Sequence, residues 1–233
     1  MRTLTKLAAV ETKLLVREPG AVFALLIPLF ILVAFGGGIS RGDTVLVPMA
    51  TTMAVGLVGL YLLPTTLATY RERGILRRLS LTPVRPGSLL AVQLLLQVVL
   101  AAVAVGLLLG VGVGVLGARP PAVLHAAAAL VLGTAALFSV GLVIAALAPN
   151  GRAANGVGVL AFFPLAYLGG LMQPPEHMPA ILAAAGGYTP MGALRLSLHE
   201  AWSGAAVAPL PLVVLALYAV ALSLVAAWSF RWE

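Results

Sequence analysis

The chain has 233 residues, 61% hydrophobic and only 9% charged, where a soluble domain carries about a quarter charged residues. Such a surface cannot face water, so the sequence reads as an integral membrane protein whose apolar surface is covered by lipid. The net charge of +7 lacks the interleaved stacking aromatics of a nucleic-acid surface, and the absence of cysteine excludes disulfides, thiolate nucleophiles and zinc–sulfur sites.

In chain order, the first eighteen residues place Arg2, Lys6, Lys13 and Arg17 in one narrow helical arc, with Leu4, Leu7, Ala8, Leu14 and Leu15 roughly opposite. This predicts an interfacial amphipathic helix ending at Pro19. Glu11 and Glu18 sit among the leucines. A face meant only for lipid would not carry them, so the alternatives are docking on protein and snorkelling to the headgroups. The charged stretch is too long for a cleavable signal, and no small-residue cleavage site follows Phe35.

Six apolar segments follow, near the length of about 20 residues that a helix needs to cross about 30 Å of hydrocarbon. They are Gly20–Ile39, Val45–Thr69, Ser88–Gly117, Ala122–Ala148, Asn155–Met172 and Ala205–Trp228, the fifth being the shortest. With the N-terminus inside, eleven of the fourteen basic residues fall on the inner side and three, Arg41, Arg119 and Arg195, on the outer. That asymmetry predicts cytoplasmic N- and C-termini. Between the fifth and sixth spans, Gln173–Gly204 is broken by Pro174, Pro175, Pro179 and Pro190. Short helices over Pro179–Ala185 and Met191–Trp202, dipping into the outer leaflet, fit it best.

Chemical motifs mostly fail. Gly112-Val-Gly-Val-Leu-Gly117 matches a dinucleotide fingerprint in letters only, because it ends an apolar helix instead of following a strand. Gly106, Gly110 and Gly114 recur every four residues and predict a smooth stripe for helix packing. His199-Glu200 starts a zinc-protease match that Ser203 ends, and neither lysine follows a P-loop glycine run. No Asp, Glu, Lys or Arg lies deep within a span, which argues against a proton- or ion-coupled carrier. His125, near the start of the fourth span, reads as an interfacial histidine. Thr51, Thr65 and Thr69, with Gln93 and Gln97, could line a path for an amphipathic solute. Alternatively, the threonines bond their own helix and the glutamines bond neighbouring helices.

Charge is densest at Tyr70–Pro86, which holds Arg71, Arg73, Arg77, Arg78 and Arg85 between the second and third spans. The run Glu72-Arg-Gly-Ile-Leu-Arg-Arg-Leu-Ser-Leu-Thr-Pro resembles the signature of type-2 ABC exporter permeases, where such residues bracket a coupling helix. Ile75 stands where the family usually has Thr. Gly169-Gly-Leu-Met-Gln-Pro-Pro-Glu-His-Met-Pro, Thr189-Pro190 and Ala193-Leu-Arg195 are similar to later family segments. The resemblance spans the chain, 1–233, as one permease domain, and is closest to the daunorubicin-resistance and nodulation branch.

The resemblance implies an all-α membrane protein of six transmembrane helices, with an N-terminal interfacial helix and short re-entrant or outer-leaflet helices between the fifth and sixth. It implies a prokaryotic plasma-membrane location, no catalytic residues, no metal and no cofactor in this chain. ATP and Mg would sit on a separate P-loop ATPase, two copies per transporter, beside a second permease copy and membrane lipid. ATPase coupling would fall to Arg71, Glu72, Arg73, Gly74, Ile75, Leu76, Arg77, Arg78, Leu79, Thr82 and Pro83. The expected function is export of a hydrophobic or amphipathic compound such as a drug, antibiotic or lipid-like molecule. Export of a polysaccharide, lipo-oligosaccharide or haem is the alternative within the fold; a secondary carrier and a non-transporting scaffold are the alternatives outside it.

Overall fold

A computed structural model describes residues 11–15, 17–38, 43–74, 86–204 and 208–229, and among these every regular element is helical. Residues 11–15 form a helical turn that leads through Glu18 into α1 (Pro19–Phe35). Next come α2 (Leu46–Glu72), α3 (Pro86–Leu109, extended by Gly110–Val115), α4 (Val123–Leu147) and α5 (Gly151–Leu168). A 3-10 turn at Pro175–His177 precedes α6 (Ala180–Gly186), α7 (Pro190–Ser203) and α8 (Pro209–Ser229).

The helices α2, α3, α4 and α8 are each long and apolar enough to cross a membrane. The 17 residues of α1 and the 18 of α5 reach about 26 and 27 Å, close to the thickness of the hydrocarbon. Both carry an internal proline, Pro28 and Pro164, tolerated in lipid where neighbouring helices cover the backbone groups it releases. Outward faces are apolar: Phe23, Phe30, Leu95, Val131, Leu217 and Trp228 are all exposed. In water this would be a large liability, but against acyl chains it is the expected surface.

Helix boundaries follow local chemistry. Asp43 Oδ1 accepts from the backbone N–H of Val45 and Leu46 at 2.8 and 3.0 Å, satisfying donors at the start of α2. The Asn150 side chain accepts from Ala153 N at 2.8 Å to cap α5, and Thr189 Oγ1 accepts from Gly192 N at 3.1 Å to cap α7. Gly204, at φ 70°, ends α7 in the left-handed region that glycine enters without strain.

Within α2, residues Leu57–Leu62 widen into a π-helical turn that passes between α4 and α5. Glycines make that approach possible. A Cβ at Gly141 of α4 would collide with the Gly59 carbonyl, and one at Gly158 of α5 with the Leu60 carbonyl. The three backbones therefore touch without side chains between them.

The helix α7 sits inside the bundle and packs on α4, α8, α2 and α5. Its Met191, Leu194, Leu198 and Trp202 are fully buried. Met191 meets Gly56 near the middle of α2, and Leu194 meets Gly133 near the middle of α4. At its other end His199 Nδ1 lies 2.8 Å from the Thr44 carbonyl, just before α2 begins. The helix thus reaches from one end of the bundle to about half its depth, as a re-entrant segment does. The expected Met191–Trp202 helix is present, and its burial exceeds that of a leaflet-surface helix.

Candidate functional site

The end of the bundle that carries the α2–α3 connection is built on the last turn of α2. Thr69-Tyr-Arg-Glu72 closes the helix, and Gly74, at φ 63°, turns the chain out of it. The Gly74 N–H bonds the Arg71 carbonyl at 3.0 Å. Gly74 therefore ends α2 by adopting a conformation costly for other residues.

Adjacent side chains on this turn clamp the α4–α5 connection. Arg71 Nη1 donates to the carbonyls of Ala145 and Ala146, both at 3.0 Å, and Nη2 donates to Ala148 O. These are the carbonyls left without helical partners at the end of α4, where a cation is also favoured by the helix dipole. One residue on, Glu72 Oε2 accepts from Gly151 N at 3.0 Å, at the start of α5, where an anion is favoured. Gly151 makes room for this approach, since a Cβ there would strike Thr69 Oγ1. The pair holds α4 and α5 to the end of α2 from opposite sides of one turn.

Tyr70 ties in the N-terminal segment. Its hydroxyl donates to Glu11 Oε2 at 2.5 Å, and Glu11 is buried. Leu15 is buried with Ala21 and Leu62. Of the two alternatives for this segment's acidic face, docking on protein is the one observed for Glu11. Burial also pushes the Glu18 carboxyl above its ordinary range.

Of the coupling residues expected from sequence, Arg71, Glu72, Arg73 and Gly74 are thus placed together. Arg71, Glu72 and Gly74 have partners or roles inside the chain, and Arg73 is exposed. Ile75, Leu76, Arg77, Arg78, Leu79, Thr82 and Pro83 lie outside the described residues. So do Arg2, Lys6, Arg41 and Arg231.

The polar residues considered for a solute path separate into two sets. Thr65 and Thr69 donate to the carbonyls four residues back, Tyr61 O at 2.6 Å and Thr65 O at 2.7 Å. They behave as helix back-bonding threonines. Thr51, Gln93 and Gln97 are buried, and Thr51 Oγ1, Gln93 Oε1 and both amide atoms of Gln97 have no hydrogen-bond partner. The glutamines share the face of α3 that turns toward α1 and α2, along with Ala101 and Ala104. They do not bond neighbouring helices.

The glycine stripe is exposed and makes no close helix contact among the described residues, with Gly106 lining an open groove between α3 and α4. Nothing lies within 4 Å of a Cβ placed on Gly106, Gly110 or Gly114. The α3 glycine that does pack is Gly112, where a Cβ would come within 2.8 Å of Val47. Its role inside the protomer falls instead to Gly59, Gly141 and Gly158.

At the opposite end His125, in the first turn of α4, is buried against protein. Its Nε2 lies 3.2 Å from Ser197 Oγ and 3.8 Å from Glu200 Oε2, while Glu200 also accepts from Ala208 N at 3.2 Å. Both partners approach the same ring nitrogen, so this is a tether between α4 and the α7–α8 connection and not a relay from nucleophile to base to acid. Among the described residues no cluster of His, Asp and Glu could hold a metal ion.

Comparison with curated proteins finds no match to the chain. Residues 4–192 match the family described as ABC-2 type transporter, from the N-terminal segment through the start of α7. With most of its length covered, and with apolar spanning helices throughout, this multi-pass membrane protein belongs to the ABC-2 type transporter family, as a permease subunit.

Proposed function

We propose that the chain is the permease of an ATP-driven exporter for a hydrophobic or amphipathic compound, in the daunorubicin-resistance and nodulation branch. A separate ATPase, two copies per transporter and carrying ATP and Mg, docks on the Tyr70–Pro86 loop. Two permease copies form the pathway. The cell is prokaryotic, and the end bearing the loop faces its cytoplasm, an orientation that the basic asymmetry supports.

The observation that carries this reading is the Arg71–Glu72 clamp. A loop serving only to orient the chain needs basic residues in number. It does not need the helix before it fastened to two other helices through a guanidinium and a carboxylate. With the clamp, displacement of the loop moves α2, α4 and α5 together. Tyr70–Glu11 adds the N-terminal segment to the same unit. In the loop, Ile75, Leu76 and Leu79 form the apolar anchor, because their spacing brings them to one side of a short helix. Arg73 and Arg77 meet acidic groups at the rim of the partner's groove. Thr82-Pro83 ends that helix, since the residue before proline disfavours helical backbone.

Reconstitution tests it. Proteoliposomes holding permease and ATPase together should accumulate an amphipathic dye in an ATP-dependent manner, and permease alone should not. Gradient-driven uptake by the lone permease would contradict the reading.

A further inference from the structure

At the end of the bundle away from the coupling loop lies a cavity of about 800 Å³. This is the volume range of sites that enclose a drug-sized ligand. Ile31 and Phe35 of α1, Met49 and Met53 of α2, and Leu171 and Met172 after α5 give it apolar, adaptable walls. Met53 is seven residues into α2, so the cavity runs about 10 Å inward along that helix.

One wall carries Arg195, from the middle of α7. Arg195 Nε donates to Gly169 O at 2.5 Å, which fixes the plane of the guanidinium. Gly170, at φ 76°, lets it stand there, since a Cβ would come within 3.1 Å of Nε. Arg195 is four residues deeper in α7 than His199, about 6 Å. No carboxylate of a described residue forms an ion pair with it. Glu176, also at the cavity, is exposed at its mouth. A half-buried guanidinium in an apolar wall, with Glu176 acting on it only electrostatically and not in direct contact, is costly and leaves its terminal N–H groups open to an anion. Its free terminal N–H groups have the fork geometry that carboxylate, sulfate and phosphate groups match.

We infer that this cavity binds an acidic amphiphile, with Arg195 holding the anionic head and the α1–α2 walls holding the apolar body. That the occupant is the exporter's cargo rests on the permease reading above; the binding itself does not.

The test uses purified permease in phosphatidylcholine nanodiscs, without ATPase, and three radiolabelled probes with one apolar chain: dodecanoate, dodecanol and dodecylammonium. Binding is read above that of empty nanodiscs. Dodecanoate should bind about tenfold more tightly than either other probe, the scale of one charge-assisted contact. Arg195→Gln should abolish that preference, and Arg195→Lys should retain much of it. Glu176→Gln, which leaves the cavity wall intact, should strengthen dodecanoate binding about two- to threefold by removing a like charge. Adding phosphatidylglycerol separates two sources of the same chemistry. Displacement of dodecanoate assigns the site to an anionic bilayer lipid, and its persistence assigns it to a solute; either supports an acidic-amphiphile site. Equal binding of all probes to the parent, or a preference that survives Arg195→Gln, overturns the inference. So does disulfide cross-linking of two copies through cysteines placed at Phe35 with no dodecanoate bound, because a second copy would then fill the cavity. Failure here leaves ATP-coupled transport standing, and failure of coupling leaves the binding result standing.

Discussion

Replacing Arg71 by methionine keeps most of the apolar stem and removes the charge that holds three carbonyls at the end of α4. A hydrogen bond to a charged group contributes about 1.5–3 kcal/mol, and a cation at a helix C-terminus adds up to about 1. The three contacts share one half-buried cation, and water can replace part of what is lost. The net cost should therefore be about 2–4 kcal/mol. For a chain of this length each kcal/mol moves the unfolding midpoint by about 2–4 °C, so the expected drop is roughly 4–16 °C. Glu72→Gln, which loses one contact at the start of α5, should cost about 0.5–1 kcal/mol. The double variant should fall short of additivity, because both side chains fasten the same turn. The assay is thermal unfolding of the purified permease in detergent, with no ATPase present, and Arg73→Met as a control at an exposed neighbour. Equal midpoints for Arg71→Met and Arg73→Met would refute the clamp and return Arg71 to the docking surface.

Other consequences can be measured separately. Tyr70→Phe leaves Glu11 buried without its partner, at a cost of about 1–3 kcal/mol, and should speed tryptic cleavage at Lys13 and Arg17 in the isolated permease. Gly158→Leu should separate α5 from the π turn of α2 and lower stability by about 1–3 kcal/mol, whereas Gly106→Ala, whose added Cβ has nothing within 4 Å, should leave the midpoint nearly unchanged in the same unfolding assay. A single cysteine at position 79 should be protected from an impermeant thiol reagent outside intact cells, and those at 119 and 176 should react; the reverse pattern would invert the orientation.

The spanning helices were legible because lipid imposes a length and a polarity that composition records directly. The re-entrant helix was legible in outline, since Pro190 and the apolar run after it mark its start. Glu11 was legible as an anomaly: a carboxylate on an apolar face needs a partner, though the sequence could not name Tyr70. Arg71 and Glu72 show the limit. Adjacent charges at a helix end look like solvated loop residues, and their partners at Ala145 and Gly151 lie more than seventy positions away. The glycine stripe shows another. Four-residue spacing puts Gly106, Gly110 and Gly114 on one face but says nothing of which way that face turns. The close approach uses single glycines on three helices instead, a pattern with no period to detect. Nor does anything in Leu57–Leu62 announce a π turn, which is fixed by what packs against it.

The central claim is that the Tyr70–Pro86 loop seats the ATPase and passes its motion to the helix clamp. Its most direct test is stimulation of the partner's ATP hydrolysis by reconstituted permease carrying Leu79→Ala or Arg77→Glu. Leu79→Ala should weaken docking by about 1–3 kcal/mol, the loss expected for a buried apolar anchor, and Arg77→Glu should slow association and make it salt-sensitive. Both variants should insert and unfold like the parent. Parent-level stimulation and co-purification from both would contradict the claim and leave the loop as a topology signal alone.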